Sequence, residues 1–344
     1  MPWFQHIVNR ITHLGADMTQ TPLAGKVAIV TGSGQGLGLA YAQELARQGA
    51  SVVINDVNQD TADAAVESIV AEGGKAVAVV APVGDTEAAT ALVNGAVEAF
   101  GRLDILVNNA GVLRDKSLLK MTDEDFDLVI KVHLRGTFTC VRETYRYFKE
   151  NGVAGRIIAI GSPTGQYGNF GQTNYAAAKA GIVGMIRTFA LEMKKAGVTA
   201  NAVIPVAATA MTKTIPFFQK AVEADERGEA MSSFFRHDLG FGTAADVAGL
   251  ITWLASDDAA DVTGQAIGAG GDRLQLFSHP TPIVTEYREG GWNYEALAEQ
   301  AHALFEGKLQ TCGEKMPPLP EELQPAQAEP RSGPVELKGN HHAL

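Results

Sequence analysis

The 344-residue sequence has only two cysteines, Cys140 and Cys312, and their spacing fits neither a disulfide framework nor a set of zinc ligands. It contains no block of Lys and Arg, and its formal net charge of −11 argues against a basic surface that binds nucleic acid. Long apolar runs are also missing, so we expect no membrane-spanning segment. These absences favour a protein of a reducing cytoplasm, with no metal site, no nucleic-acid surface and no membrane span.

Hydrophobic residues make up 46% of the chain, which is enough for a large core. Within residues 26–270, short β-branched runs alternate with longer segments that are rich in Ala, Leu and Glu and have helical spacing. This alternation predicts a doubly wound α/β fold, in which helices cover both faces of a parallel sheet. The predicted strands are residues 27–30, 51–55, 76–80, 105–107, 156–160, 199–204 and 265–267.

The two ends of the chain do not continue this alternation. We expect residues 1–22 to form an N-terminal extension, without the apolar core of a secretory signal, and residues 23–271 to form a single domain. Residues 272–312 are expected to be a C-terminal extension that packs on this domain or on a partner subunit, with a candidate helix at 294–305. The polar, proline-rich residues 313–344 are predicted to be a disordered tail.

A glycine-rich turn, TGSGQGLG at residues 31–38, follows the first predicted strand and opens a helix. Glycine allows a tight turn and a close approach to a pyrophosphate, and the amino terminus of a helix offers free N–H groups to phosphates. An ordinary glycine-rich turn is the alternative explanation. The candidate cofactor-binding residues of the turn are Gly32, Ser33, Gln35, Gly36, Leu37 and Gly38.

Asp56 ends the second predicted strand, 18 positions after Gly38. A carboxylate at this place can accept hydrogen bonds from the ribose hydroxyls of adenosine and would repel a 2′-phosphate. No Arg occurs within the turn or directly after Asp56. The sequence therefore predicts NAD rather than NADP as the cofactor, although Asp56 would also suit a turn at the end of a strand.

Tyr175 and Lys179 are four residues apart on a predicted helix, so their side chains share one face. A nearby ammonium group favours the phenolate and is expected to lower the pKa of Tyr175, which would let it accept an alcohol proton. The hydroxyl of Ser162, just after a predicted strand, can bond a substrate oxygen. Alone, the Tyr–Lys pair would more often be a surface pair; here it follows the glycine turn and the segment Asn-Asn-Ala-Gly at 108–111.

In these motifs, residues 26–270 resemble the short-chain dehydrogenase/reductase family. Its Thr-Gly-x-x-x-Gly-x-Gly turn, its Asn-Asn-Ala-Gly segment and its Ser, Tyr and Lys set occur in the same order. The resemblance implies a Rossmann fold with a seven-stranded parallel sheet. It also implies a homodimer or homotetramer, in which helices near 122–149 and 172–195 pack between subunits. The further cofactor-binding residues that it implies are Val83, Asn109, Ala110, Gly111, Tyr175, Lys179, Pro205, Thr209 and Met211.

His133 stands where many members of this family have a fourth catalytic residue, an asparagine. A neutral imidazole there can relay a proton through water; alternatively, the residue is a buried histidine bonded to a backbone carbonyl. The segment 132–138 around His133, together with segments 108–117 and 167–175, is similar to the (3R)-hydroxyacyl-CoA dehydrogenase part of the multifunctional β-oxidation enzyme. Pro82 stands where many members have an aspartate that contacts adenine.

The resulting hypothesis is an NAD-dependent oxidoreductase that acts on a (3R)-3-hydroxyacyl-CoA with a bulky apolar acyl group. The phenylalanine-rich segment 217–241 favours an apolar cover over the site, although core packing also explains it. A hydroxysteroid or another cyclic secondary alcohol is the alternative substrate, and a non-catalytic NAD-binding scaffold is a remote alternative. Candidate contacts for the phosphates of CoA, each also explained as a surface charge, are Arg114, Lys116, Lys213 and Arg236.

Overall fold

A computed structural model describes residues 21–208 and 216–320. The predicted N-terminal extension, 1–22, is therefore described only at its last two residues, and the predicted tail, 313–344, only up to residue 320. Within the described part of the chain, no helix is both long enough and apolar enough to cross a bilayer.

A single eight-stranded sheet forms the centre of the structure, in the order β3-β2-β1-β4-β5-β6-β7-β8. Strands β1 to β7 are parallel, and the order reverses between β1 and β4, which creates a crevice at the carboxyl ends of these strands. The predicted doubly wound α/β fold is thereby confirmed. The strands are β1 (Val27–Val30), β2 (Ser51–Asp56), β3 (Lys75–Val80), β4 (Ile105–Asn108), β5 (Arg156–Ile160), β6 (Thr199–Pro205), β7 (Ala266–Gly270) and β8 (Arg273–Phe277).

The eighth strand corrects the expectation of seven. Strand β8 pairs antiparallel with β7, with Arg273 opposite Gly270, so only two residues form the connection. Gly271 has a φ of +52°, which permits this tight reversal. The pattern of β8 does not predict a strand because its two leucines, Leu274 and Leu276, are 72% and 69% exposed and contribute no core face.

Helices cover both faces of the sheet, as the alternation predicts. They are α1 (Gly36–Arg47), α2 (Gln59–Ala71), α3 (Thr86–Phe100), α4 (Asp123–Val129), α5 (Gly136–Asn151), α6 (Pro163–Tyr167), α7 (Thr173–Met193), α8 (Pro216–Glu226), α9 (Ala244–Ala255) and α10 (Tyr294–Phe305). The candidate helix at 294–305 is confirmed as α10. A π-helical segment, Ile130–Arg135, joins α4 to α5, and another covers Phe234–Asp238.

Two apolar layers hold these helices on the sheet. Helices α1, α2 and α9 pack on one face, where Tyr41, Ile69 and Ile251 are buried. Helices α3, α5 and α7 pack on the other face, where Leu92 and Phe148 are buried. The central strands β1, β4 and β5 are buried along their whole length, which explains why they read as continuous apolar runs.

Candidate active site

The glycine-rich turn joins the carboxyl end of β1 to the start of α1. Gly32 has a φ of +59°, and a Cβ added there would lie 2.7 Å from Cα of Ala110. A Cβ on Gly38 would lie 2.6 Å from Nδ2 of Asn109. Both positions therefore require glycine if the turn is to lie directly against the residues that follow β4.

Helix α1 begins without an acceptor for its first N–H groups. Gln35 occupies the N-cap position, but its side chain makes no capping hydrogen bond, and the first turn contains no acidic residue. A Cβ built on Gly36 would have no atom within 4 Å. Leu37 packs its side chain against the core and offers only its backbone. Free N–H groups and the positive end of the helix dipole fit a pyrophosphate at this position.

Ser33, a predicted cofactor-binding residue, is fully buried beneath the turn. Its Oγ donates to the carbonyl of Val30 at 2.6 Å and accepts from the amide of Asn55 at 3.1 Å. Its own amide donates to the carbonyl of Asn55 at 2.7 Å. These bonds hold the turn to β2, and they engage both the hydroxyl and the amide of Ser33 with the protein.

Asp56, the last residue of β2, has two oxygens with different surroundings. Oδ1 accepts from the amides of Val57 at 2.8 Å and Asn58 at 3.1 Å, which is the turn-forming contact. Oδ2 faces the glycine turn, where a Cβ on Gly34 would lie 2.7 Å from it. The side chain thus forms the turn and still presents one carboxylate oxygen to a ligand of the glycine turn.

The segment after β4 is bonded to the glycine turn through side chains. Nδ2 of Asn109 donates to the carbonyls of Thr31 and Gly32, both at 3.0 Å. In return, Oγ1 of Thr31 accepts from the amides of Asn109 and Ala110, both at 3.0 Å. Asn109 and Ala110 therefore form the floor of the turn, whereas Gly111 lies against the ring of His133.

Ser162, Tyr175 and Lys179 come together at the carboxyl end of β5. Ser162 caps α6, and its hydroxyl is within hydrogen-bonding reach of the Tyr175 phenol. Nζ of Lys179 lies 5.5 Å from the centroid of the Tyr175 ring and donates to the carbonyl of Ile160 at 2.6 Å. The side chain of Lys179 is only 3% exposed. The structure thus places the three residues in one cluster.

The predicted lowering of the Tyr175 pKa is not what this geometry gives. Burial raises the pKa of Tyr175 to about 12, while the hydrogen bond from Ser162 opposes this rise and the carboxylate of Asp115 adds to it. Burial also lowers the pKa of Lys179 to about 7. The reason is positional: the ammonium lies over the ring and bonds a backbone carbonyl, and it does not contact the phenol oxygen.

His133 lies in the π-helical segment and is 2% exposed. Its Nε2 lies 2.8 Å from the carbonyl oxygen and 3.0 Å from the amide nitrogen of Val112. Its ring meets that of Tyr175 edge to face, with the centroids 5.2 Å apart. Burial, with the charge of Lys179, lowers the pKa of His133 to about 3, so the imidazole is neutral at physiological pH. This geometry favours the backbone-bonded alternative over the proton relay.

The other predicted cofactor-binding residues lie at the same edge of the sheet or outside the described residues. Val83 is buried after β3, in the core layer of α3, α5 and α7. Pro205 is the last residue of β6 and is half-buried. Thr209 and Met211 lie outside the described residues.

The phenylalanine-rich segment forms a small core of its own. Phe218 and Phe241 are stacked with their centroids 4.4 Å apart, and Phe241 is fully buried. Phe235 is 8% exposed and contacts both rings. These contacts favour core packing as the reason for the phenylalanines.

The four candidate phosphate contacts differ in availability. Arg236 forms ion pairs with two carboxylates, and Lys116 forms one at 2.7 Å. Lys213 lies outside the described residues. Arg114 is exposed and donates to the carbonyl of Leu113 at 2.7 Å. Of these four, Arg114 is therefore the one best placed to meet an anionic ligand.

Two buried asparagines are missing from the predicted site. Asn55 accepts from the amide of Gly32 at 3.4 Å and donates to two carbonyls at and just beyond the end of β3, both at 3.0 Å. Asn174 precedes Tyr175 on α7 and is fully buried. In the sequence, only their positions next to Asp56 and Tyr175 point to a role for these two asparagines. Their hydrogen-bond partners lie far away along the chain and cannot be recognised from it.

Comparisons with known proteins agree with this geometry. The family described as short chain dehydrogenase matches residues 26–219. The chain is 40% identical over 301 residues to the hydroxyacyl-CoA dehydrogenase ChsB1 of Mycobacterium tuberculosis, covering 84% of this chain and 91% of that protein. It is 46% identical over 200 residues to peroxisomal multifunctional enzyme type 2 of Drosophila melanogaster, covering 56% of this chain but only 33% of that enzyme.

A solved structure extends the comparison to three dimensions. The crystal structure of a short chain dehydrogenase from Mycobacterium avium superimposes with a TM-score of 0.72 at 36% sequence identity. It covers 85% of this chain and 98% of its own. On the family match and these relatives, the chain belongs to the short chain dehydrogenase family.

Proposed function

We propose that the chain catalyses the NAD-dependent interconversion of a secondary alcohol and a ketone. The observation that carries the proposal is the Tyr175 phenol, which lies within reach of the Ser162 hydroxyl and 5.5 Å, measured to its ring centroid, from the Lys179 ammonium. These groups share the carboxyl edge of the sheet with the uncapped start of α1. A proton acceptor and an orienting hydroxyl beside a dinucleotide site meet the requirements of alcohol oxidation.

In the oxidation direction, Tyr175 in its phenolate form accepts the hydroxyl proton of the substrate, and the hydroxyl of Ser162 bonds the same substrate oxygen. When NAD is held by the glycine turn and Asp56, its nicotinamide would supply the hydride acceptor. In the reduction direction the phenol gives up its proton and negative charge develops on its oxygen; Lys179, fixed by the carbonyl of Ile160, places positive charge over the ring at this stage. The neutral ring of His133 supports Tyr175 from the side.

The proposed substrate is a (3R)-3-hydroxyacyl-CoA with a bulky apolar acyl group. The relative named hydroxyacyl-CoA dehydrogenase, which matches 84% of this chain, supports the thioester class. Leu119 and Phe170 support the apolar acyl group: they are 98% and 90% exposed, on segments joined by the hydrogen bond from the Lys116 amide to the Gly171 carbonyl. The exposed Arg114, near this bond, supports a contact to a CoA phosphate.

The test is NADH formation by the purified chain with matched pairs of substrates. We expect turnover of long-chain or polycyclic (3R)-3-hydroxyacyl-CoA thioesters, and at least about tenfold lower kcat/KM for the same alcohols without CoA, since phosphate contacts contribute about 1.5–3 kcal/mol each. The (3S) thioester is the control for stereochemistry. Equal kcat/KM with the CoA-free alcohol would contradict the thioester assignment, and no NADH from any pair would contradict the proposed reaction.

The preference for NAD is assigned to Asp56 and is tested with Asp56→Asn. The amide keeps one oxygen for the Val57 and Asn58 amides, but it replaces the charged Oδ2 that faces the glycine turn with a donor. We expect the ratio of kcat/KM for NAD to that for NADP to fall by about 10- to 100-fold, because one charged hydrogen bond is lost and repulsion of a 2′-phosphate is removed.

Asp60→Asn is the matched control, since Asp60 is an exposed carboxylate in the first turn of α2. Its cofactor ratio should remain within about threefold of the wild type, as expected for a screened surface charge. An unchanged ratio in Asp56→Asn would remove Asp56 from cofactor recognition.

A further inference from the structure

Asn174 lies in the first turn of α7, directly before Tyr175, and its side chain is fully buried. Its Nδ2 donates to the carbonyl of Arg114 at 3.2 Å and to the carbonyl of Asp125 at 3.1 Å. Its Oδ1 accepts from the amide of Tyr175 at 2.8 Å. The side chain of Asn174 therefore connects the backbone at Arg114, at Asp125 and at Tyr175, the residue that carries the phenol.

This pattern of bonds requires an amide side chain. Two carbonyl oxygens need two donors, and the Tyr175 amide, near the start of a helix, needs an acceptor because it has no carbonyl one turn earlier in the helix. Only Asn and Gln supply two N–H donors and one oxygen from a single group. Of the two, Asn has the shorter side chain and fits a fully buried position beside the backbone.

Residues 112–116, which Asn174 contacts at Arg114, are held at both ends as well. The ring of His133 bonds the backbone of Val112 at one end. At the other end, the amide of Lys116 donates to the carbonyl of Gly171 at 2.9 Å. Because both ends are fixed, the hydrogen bond from Asn174 to the carbonyl of Arg114 sets where this segment lies relative to the backbone of Tyr175.

We infer that Asn174 is a positioning residue, which holds Tyr175 in register with Ser162 and with residues 112–116 at the substrate side of the site. This inference rests on the proposed function for the role of Tyr175. It assigns to Asn174 no contact with the substrate or the cofactor. Its effect on the reaction passes through the location of the phenol, and misplacement by about 1 Å can lower a rate by about 10²-fold.

A matched control is available in Asn201 on β6. It is 1% exposed, its Nδ2 donates to the carbonyl of Val262 at 2.7 Å, and its Oδ1 accepts from the amide of Gln265 at 3.1 Å. Like Asn174, it joins separate backbone segments through a buried amide, but it has no contact with Tyr175 in the described structure. Replacing either residue with aspartate preserves shape and removes donors.

The experiment compares Asn174→Asp and Asn201→Asp in the full chain. We expect both variants to lose stability to denaturant, because Asn174→Asp leaves the carbonyls of Arg114 and Asp125, and Asn201→Asp the carbonyl of Val262, without a side-chain donor. Asn174→Asp should lower kcat by about 10²-fold, with KM and the Kd of NAD within about threefold of the wild type, whereas Asn201→Asp should keep its kcat within about threefold. In Asn174→Asp, the alkaline rise in the rate of alcohol oxidation should also move to higher pH. The negative charge of the new carboxylate opposes ionisation of the Tyr175 phenol and so raises its pKa.

Amide hydrogen exchange supplies a readout that needs no substrate. In Asn174→Asp, exchange should accelerate in residues 112–117 and 173–177, and Asn201→Asp should leave these segments unchanged. Asn174→Ser, which keeps one donor, should give the same pattern with a smaller loss of kcat and is used if the aspartate variant does not fold.

Unchanged exchange in these segments, or equal losses of kcat in both aspartate variants, would overturn the positioning role. A wild-type chain that turns over no substrate, combined with the expected exchange pattern, would contradict the proposed function and leave the structural part of the inference in place.

Discussion

Replacing Tyr175 with phenylalanine is expected to lower kcat by at least about 10³-fold, because general acid–base catalysis by a positioned side chain contributes roughly 10²–10⁴. The variant removes the phenol oxygen and keeps the ring, so the edge-to-face contact with His133 is retained. The Kd of NAD should change by less than about threefold, since the glycine turn and Asp56 are untouched. Single-turnover formation of NADH and fluorescence titration with NAD measure the two quantities.

Tyr167→Phe is the matched control, because Tyr167 ends α6, which Ser162 caps, and is 41% exposed. It should retain its kcat within about threefold. The wild-type pH profile gives a second check. Since the pKa of Tyr175 is raised to about 12, the phenolate fraction increases with pH, so alcohol oxidation should accelerate through the alkaline range. Ketone reduction, which needs the protonated phenol, should not accelerate. A Tyr175→Phe variant that keeps the alkaline rise would contradict the assignment.

Replacing Lys179 with methionine is expected to inactivate the protein and also to stabilise it. The pKa of Lys179 is lowered from 10.5 to about 7 by burial. At about 1.4 kcal/mol for each pKa unit, its protonated form costs on the order of 3–5 kcal/mol below pH 7. Methionine removes this cost and leaves the carbonyl of Ile160 without its donor, at about 1–3 kcal/mol. A net gain of roughly 2 kcal/mol in unfolding free energy at pH 6 is expected.

The sign of the pH dependence separates this effect from a packing change. Between the folded pKa of about 7 and the unfolded value of 10.5, the unfolded chain binds more protons at Lys179, so wild-type stability should rise with pH in this window. In Lys179→Met that contribution disappears, and the advantage of the variant should shrink from pH 6 to pH 9. Urea unfolding of both proteins at pH 6 and at pH 9 measures this difference in unfolding free energy.

Lys195→Met is the control for the loss of a lysine charge, because Lys195 is exposed. Its stability should remain within about 0.5 kcal/mol of the wild type, as for other surface substitutions. A Lys179→Met variant that is less stable than the wild type at pH 6 would show that the ammonium is not held at an energetic cost, and an active variant would exclude Lys179 from the mechanism.

The fold could be predicted wherever the sequence pattern reports burial. Seven parallel strands are fully or partly buried and carry β-branched runs, and α10 has helical spacing with a side-chain cap from Asn293. Strand β8 could not be predicted in this way. Its position results from a hairpin at Gly271 and from pairing with β7, and its exposed leucines carry no signal of a core face.

The cluster of Ser162, Tyr175 and Lys179 could be predicted because helical spacing and strand order determine it. The protonation behaviour of Tyr175 and Lys179 could not, because it depends on how deeply neighbouring segments bury each group. The role of Asn174 depends on carbonyls 49 and 60 positions away in the chain. Contacts at such separations exist only once the segments have packed together, and single-sequence patterns do not contain them.

The hydrogen bonds among Ser33, Asn55, Thr31 and Asn109 have a consequence for binding kinetics. Because these side chains already hold the glycine turn in place, an arriving dinucleotide has little loop entropy to remove at its phosphate end. The association rate constant of the dinucleotide should therefore be high, because the turn does not need to rearrange before it binds the phosphates. The dissociation rate constant would then depend mainly on the contacts at the nicotinamide end of the ligand. Substitutions could therefore change association and dissociation of the dinucleotide independently.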